Sequence, residues 1–387
     1  MTRWRNRLGV AVVAATALVL TACGGGGSSS GTGGSGADKQ TLEFAVVAEI
    51  TGKYAPYGLQ LQAGVNEAVK DLNASGDYPF TIQPKFYDCQ SEQAICVSKT
   101  RDAVTSDKMP LVMGPVVSLD ILPAAEVTQR ANTPHAVFAV LPDITDKYTN
   151  TFRWSAQNDV NNKTVVDFVK AKLQPGETVA IVHANTDFGN GGAKQQADGL
   201  AAAGITPVAN IGHDPSQADY TPVMVELNAK KPKYILLSDS DPADVAKLLR
   251  QSRENGVTGQ WVGADASGAI QLAGDDAKGY MIVSPWFPNN ATDPNSVELS
   301  KRFVAAGIKD PGWIAAMAYD ATKGVAESAK AKGLTAADIT AGMESLTDMP
   351  GKAVKSWTFT KDNRRGLTTS TIGQWDGTGF TTAWPQG

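Results

Sequence analysis

From Thr41 onward, short apolar blocks alternate with longer stretches in which apolar residues recur every three or four positions. Leu42 to Val47 is dense enough in apolar side chains to predict a buried strand, whereas Gln60 to Asn73 carries Leu61, Val65, Ala68, Val69 and Leu72 at helical spacing. The alternation continues with a short strand at Leu111 to Met113, a helix over Leu119 to Arg130 and a strand at Ala136 to Val140. Helices are then predicted over Thr164–Leu173, Gly192–Ala203, Tyr220–Lys230 and Ala243–Asn255, interleaved with strands at Thr178–His183, Pro207–Ile211, Tyr234–Leu237 and Gln260–Val262. Strands buried on both faces and separated by helices build parallel sheets covered on both sides, so the fold class is α/β. A chain of 387 residues exceeds one doubly wound sheet, and two are expected.

The first forty residues follow a different pattern. Arg3, Arg5 and Arg7 precede an apolar run from Leu8 to Leu20, which is short for a bilayer span and suited to a secretory signal. The run ends in Leu20-Thr21-Ala22-Cys23, which looks like a bacterial lipobox, with Cys23 as the lipidated residue and new N-terminus. An ordinary signal peptide cleaved near a cysteine is the alternative. Gly24 to Gly36 contains only Gly, Ser and Thr and reads as a flexible tether. It matches both GxGxxG (Gly31–Gly36) and GxSxG (Gly27–Gly31), but neither follows a strand or opens a helix, so both are accidents of composition.

Charge and composition remove several function classes. With 35 Lys and Arg against 39 Asp and Glu, the chain has no cationic excess to neutralise a phosphate backbone, and no nucleic acid is expected as a partner. Loss of residues 1–22 removes three Arg and no acid, which makes the exported protein more acidic still. Three His and three Cys leave few ligands for a zinc or iron–sulfur centre, and no cofactor or metal is expected. Cys89 and Cys96 have six residues between them at a turn into a helix, most simply a short-loop disulfide in an oxidising compartment.

In open α/β sheets, ligands sit beyond the carboxyl ends of the strands, where helix N-termini present N–H groups. Those ends are the loop Ala48 to Gly58 with Tyr54 and Tyr57, Gly114 to Ser118, Phe138 to Pro142, His183 to Gly189, and Gly263-Ala264-Asp265. Ser118 is placed to cap the helix after it, so its hydroxyl and the adjacent amides could hold an anion or could simply start a helix.

In order and spacing these pieces resemble the leucine/isoleucine/valine-binding protein family, type I periplasmic solute-binding proteins that feed ATP-driven importers. The matching elements are Gly52 with Tyr57-Gly58, Ala63 to Ala68, Phe86 to Cys89 with Gln93-Ala94, Gly114 to Ser118 with Pro123-Ala124, Asp187-Phe188-Gly189, and Gly263 to Asp265. The resemblance covers nearly all of the chain from Thr41 and implies two Rossmann-like doubly wound lobes joined by three hinge strands. It places lobe 1 at 40–157 and 287–361 and lobe 2 at 158–286 and 362–387, after a signal at 1–22 and a tether at 23–39. It further implies that Ser118 holds a ligand carboxylate, that Val116 gives a main-chain contact, that Tyr57 and Phe188 form aromatic walls and that Asp265 receives an ammonium. Two positions depart from the family. Val140 stands where a Thr is usual, and Phe138 is bulkier than the norm; either the backbone and Asp265 suffice for an ammonium, or the ligand is not an α-amino acid. The family's disulfide runs from the position of Cys89 to that of Val117, so a Cys89–Cys96 bridge is a local rewiring.

The expectation is a monomeric, extracytoplasmic, membrane-anchored lipoprotein that binds a small carboxylate, an amino acid first and an amine-free aromatic or aliphatic acid second, for an ATP-driven permease. An extracytoplasmic sensor shares this fold. The sharpest enzymatic rival is a Ser118/His183/Asp265 hydrolase, which would need those three side chains to meet.

Overall fold

The computed structural model describes residues 39–141, 143–264 and 268–385. The signal segment, Cys23, the tether and Asp265 lie outside them. The first part of the chain runs β1 (Gln40–Ala48), α1 (Ala55–Ser75), β2 (Phe80–Asp88), α2 (Gln93–Arg101), β3 (Val112–Met113), α3 (Ser118–Arg130), β4 (His135–Val137), α4 (Asp143–Lys147) and β5 (Thr151–Arg153). The second runs α5 (Asn158–Lys172), β6 (Val179–Ala184), α6 (Asp187–Ala202), β7 (Ala209–His213), α7 (Thr221–Lys230), β8 (Tyr234–Ser238), α8 (Pro242–Glu254), β9 (Gln260–Ala264), α9 (Ala269–Ala273) and β10 (Met281–Ser284). Beyond these lie α10 (Pro294–Ala305), α11 (Trp313–Lys332), α12 (Ala336–Met343), β11 (Met349–Pro350), β12 (Ser356–Trp357), β13 (Thr371–Trp375) and β14 (Phe380–Trp384), which the hydrophobic pattern had not resolved.

Two sheets result. One has strand order β2-β1-β3-β4-β5, all parallel, and the other has order β14-β13-β10-β9-β8-β6-β7, parallel except for β13 and β14. The parallel part of the second sheet, β7-β6-β8-β9-β10, repeats the connectivity of the first, so each sheet reverses direction beside its first strand. Such a reversal opens a crevice at the carboxyl ends of the strands.

The two-residue period of the strands explains why both faces are apolar. In β1, Leu42, Phe44 and Val46 enter one core while Ala45 and Val47 enter the core on the other face. In the second sheet Ala180 and Val182 face one core, and Val179 and Ile181 the other. The largest core, on the first sheet, draws on residues from Leu42 to Trp154 and again from Trp286 to Phe359, because α10, α11 and α12 return to cover it. The chain thus passes between the sheets after β5, after β10 and before β13. The first and last passages touch through an Ala156–Leu367 bridge.

Local differences from the sequence expectation have physical causes. Strand β4 stops at Val137, leaving Phe138 and Val140 in a loop, because the carbonyl of Ala139 is taken by the side chains of Arg153 and Ser155 and that of Val140 by the Asn158 amide. Helix α1 starts five residues earlier than its apolar spacing suggests, since Pro56 fits the first turn of a helix without costing a hydrogen bond. Cys89 and Cys96 are joined in a disulfide, with Cα atoms 4.5 Å apart.

Candidate functional site

The crevices of the two sheets share one cavity of about 340 Å³. Six sequence-predicted positions line it: Tyr57, Val116, Ser118, Phe138, Val140 and Phe188. Asp265 lies outside the described residues, but the preceding Ala264, at the end of β9, is on the cavity wall. His183 is not among the lining residues, so the structure does not bring the hydrolase candidates Ser118 and His183 to a common site.

Each wall follows from how its element ends. After β3 the chain turns at Gly114, whose φ of +76° belongs to the left-handed region and where a Cβ would fall 2.3 Å from the Val47 carbonyl oxygen. The turn delivers Val116, Val117 and Ser118 to the cavity. Phe188 lies in the first turn of α6, which Thr186 caps by accepting a 3.0 Å hydrogen bond from the Gly189 amide. Tyr54 and Tyr57 stack with ring centroids 6.4 Å apart on the opposite side, at the start of α1. Trp313, the first residue of α11, completes the aromatic lining.

The start of α3 differs in detail from the expectation. Helix α3 begins at Ser118 itself, with Val117 at the N-cap and no side-chain cap bond, so Ser118 is not the cap. The amides of Val116 and Val117 do not face the cavity as free donors. They donate to the buried Glu49 carboxylate, at 3.2 Å and 3.0 Å. Glu49 follows β1 and has its pKa raised, chiefly by burial and further by the neighbouring Asp120 charge, while the Val116 and Val117 amides oppose the rise. Ser118 is half-buried, and its hydroxyl makes no hydrogen bond to another described residue, so it is an available donor at this helix start.

Sequence reasoning missed Tyr54 as a wall, Asn158 and Asn161 on α5, Ser240 after β8, and Trp313. Tyr54 and Ser240 stood at readable strand ends. The two Asn residues and Trp313 were invisible because they reach the cavity from segments that pass between the sheets or return late in the chain. Among the described residues the lining carries no charged side chain. Such a site favours a ligand with an apolar body and a polar end that needs few partners.

The profile of a family described as "Periplasmic binding protein" matches residues 41–380. The Leu/Ile/Val/Thr-binding protein of Salmonella typhimurium is 26% identical over 255 residues, 63% of this chain and 68% of that protein. The Leu/Ile/Val-binding protein of Escherichia coli is likewise 26% identical, over 257 residues, 64% and 68% of the two chains. Among solved structures, the branched-chain amino acid transporter substrate-binding protein LivJ of Streptococcus pneumoniae, in complex with isoleucine, superposes with a TM-score of 0.74 at 21% identity, covering 89% of this chain and 100% of that one. An ABC transporter substrate-binding protein of Desulfitobacterium hafniense in complex with Leu gives 0.74 at 18% identity, with the same coverage. At these identities the superpositions establish a shared fold.

Proposed function

Because the chain belongs to the periplasmic binding protein family and has its two-lobed type I α/β fold, we propose that it is the extracytoplasmic receptor of an ATP-driven importer for a small apolar amino acid. The lobes are taken as 40–157 with 287–361 and 158–286 with 362–387. The observation that carries the reading is the cavity itself. Its walls come from both sheets, its body is aromatic and aliphatic, and the Ser118 hydroxyl is unengaged at a helix start, where a carboxylate is favoured by the helix dipole. The relatives named above bind Leu, Ile and Val or were solved with Ile or Leu.

Function then needs no chemistry. A ligand touching both lobes binds the closed arrangement more tightly than the open one and shifts the population toward the form a permease receives. Asp265 supplies the counterion of the ammonium, and Cys23, diacylated, keeps the receptor at the membrane. A second reading, an aromatic or aliphatic acid without an amine, is favoured by Val140, which lines the cavity and offers no side-chain hydrogen bond.

Calorimetry with leucine, isoleucine, valine, phenylalanine and phenylacetate tests both. Saturable binding of an amino acid supports the first reading, and binding of phenylacetate alone replaces it with the second. No heat from any of the five removes the carboxylate reading.

A further inference from the structure

Strands β7 and β8 and helix α8 end or begin at the same edge of the second sheet. His213 closes β7, Asp239 directly follows β8, and Asp244 lies in the first turn of α8. All three side chains are at least 97% buried. Each carries one polar atom, His213 Nε2, Asp239 Oδ2 and Asp244 Oδ1, that makes no formed hydrogen bond, and one ligand atom from each of the three residues lies within 4.8 Å of the others. Two carboxylates gathered out of water need compensating positive charge; a proton on His213 Nε2, 3.2 Å from Asp239 Oδ2, offsets one of them, and a divalent cation in its place would offset both.

The other atoms of the same groups are occupied in a way that orients the cluster. Asp239 Oδ1 accepts from the Asp241 amide at 2.8 Å, and Asp244 Oδ2 accepts from the Ser216 amide at 2.7 Å. His213 Nδ1 faces the Asp214 carbonyl oxygen at 3.3 Å. A proton on Nδ1 leaves the Nε2 lone pair free for a metal, the arrangement by which backbone carbonyls fix ligating imidazoles. His213 Nε2 and Asp239 Oδ2 are 3.2 Å apart yet not aligned as a hydrogen bond. That separation is close to the edge of about 3.3 Å expected between two ligands of a tetrahedral zinc ion. The Tyr220 hydroxyl is also buried without a formed hydrogen bond, and its ring packs edge-on against His213 at 5.1 Å.

We propose that His213, Asp239 and Asp244 form a binding site for a divalent first-row transition cation, with zinc the best match. One imidazole and two carboxylates balance its charge, and a water or the Tyr220 oxygen completes four-coordination. Calcium and magnesium suit the set less well, because they require six or more oxygen ligands. Lys247 stands 3.8 Å from Asp244 Oδ1 and donates to the Gln217 carbonyl; its partly exposed ammonium offsets one carboxylate at most. Asp239 and Asp244 also line a second cavity of about 710 Å³, which gives a cation a way in. All three ligands come from the second sheet and its helices, and the cavity beside them shares Tyr54, Tyr57 and Ser240 with the solute cavity.

The test uses the intact processed protein, stripped with a chelator and dialysed. Zn²⁺ calorimetry should show one equivalent bound and a raised unfolding temperature, and both His213→Gln and Asp239→Asn should weaken zinc at least tenfold. Absence of zinc binding to the wild type overturns the proposal, as does wild-type zinc affinity in both variants once circular dichroism shows them folded. If either variant fails to fold, Co²⁺ added to the wild type decides. Visible bands of a four-coordinate nitrogen and oxygen site, displaced by Zn²⁺, support it, and a spectrum unchanged from aqueous Co²⁺ overturns it.

Discussion

Ser118 is the residue on which ligand binding should turn. Its hydroxyl is an unengaged donor at the start of α3, whereas Glu49 already holds the Val116 and Val117 amides. Removing it in Ser118→Ala deprives a carboxylate of a charge-assisted hydrogen bond, an expected loss of about 1.5 to 3 kcal/mol, or roughly ten- to hundredfold in affinity by calorimetry. Asp265→Asn separates the ligand classes. It should weaken an amino acid by a similar factor through loss of the ammonium's counterion, and leave an amine-free acid unchanged or slightly tighter. At the other end of the chain, Cys23→Ser should abolish fatty-acid incorporation in metabolic labelling, and equal label in both proteins would end the lipoprotein reading. Ser118 was legible because it follows the end of β3 by a few residues, and Tyr57 and Phe188 were expected from the family resemblance. That the Val116 and Val117 amides were spoken for was not legible, since their acceptor lies 67 or 68 residues away in sequence.

Among the elements, β4 controls the loop that presents Ser118. His135 opens β4, is fully buried, and contacts the Gly114 carbonyl oxygen through Nε2 at 2.6 Å and the Thr128 hydroxyl through Nδ1 at 3.2 Å. Burial pushes its pKa down from 6.5 to about 4, against the opposing pull of the Gly114 carbonyl. The sign follows from proton uptake. Between pH 6.5 and about 4 the unfolded chain takes up a proton that the folded one refuses, so stability is full above that window and lost as pH falls through it. The loss from this residue is roughly 3 kcal/mol by the shift. Urea unfolding at a series of pH values should show it, and His135→Gln should flatten the slope in that window. A slope unchanged in the variant would assign the acid sensitivity to other groups. Nothing in the local pattern around His135 announced this role, because the Gly114 carbonyl becomes its partner only when β3 and β4 pair.

For the molecule as a whole, the returning helix α11 ties the last third of the chain to the first sheet. Its Gly324 lies against Trp154, just where the chain leaves β5 for the second sheet, and a Cβ there would fall 2.1 Å from the indole. Trp154 in turn packs against Trp357 and Phe359 at centroid distances of 4.7 and 4.9 Å. Gly324→Ala should therefore cost about 1 to 3 kcal/mol by overpacking, read as a lower urea midpoint, with solute affinity near wild type because neither residue lines the cavity. A midpoint equal to wild type would mean the stack yields without strain. The sequence by itself determined the α/β class, the presence of two sheets and most strand ends of the crevice, because strand burial and helix amphipathicity are local periodicities of two and 3.6 residues. Tertiary structure decided which strands are neighbours and that α10 to α12 return to the first sheet. It also decided that Asn158, Asn161 and Trp313 reach the same cavity as Ser118, and that His213, Asp239 and Asp244 meet at one buried edge. Those are contacts between residues up to hundreds of positions apart, and they depend on packing choices that no local period encodes.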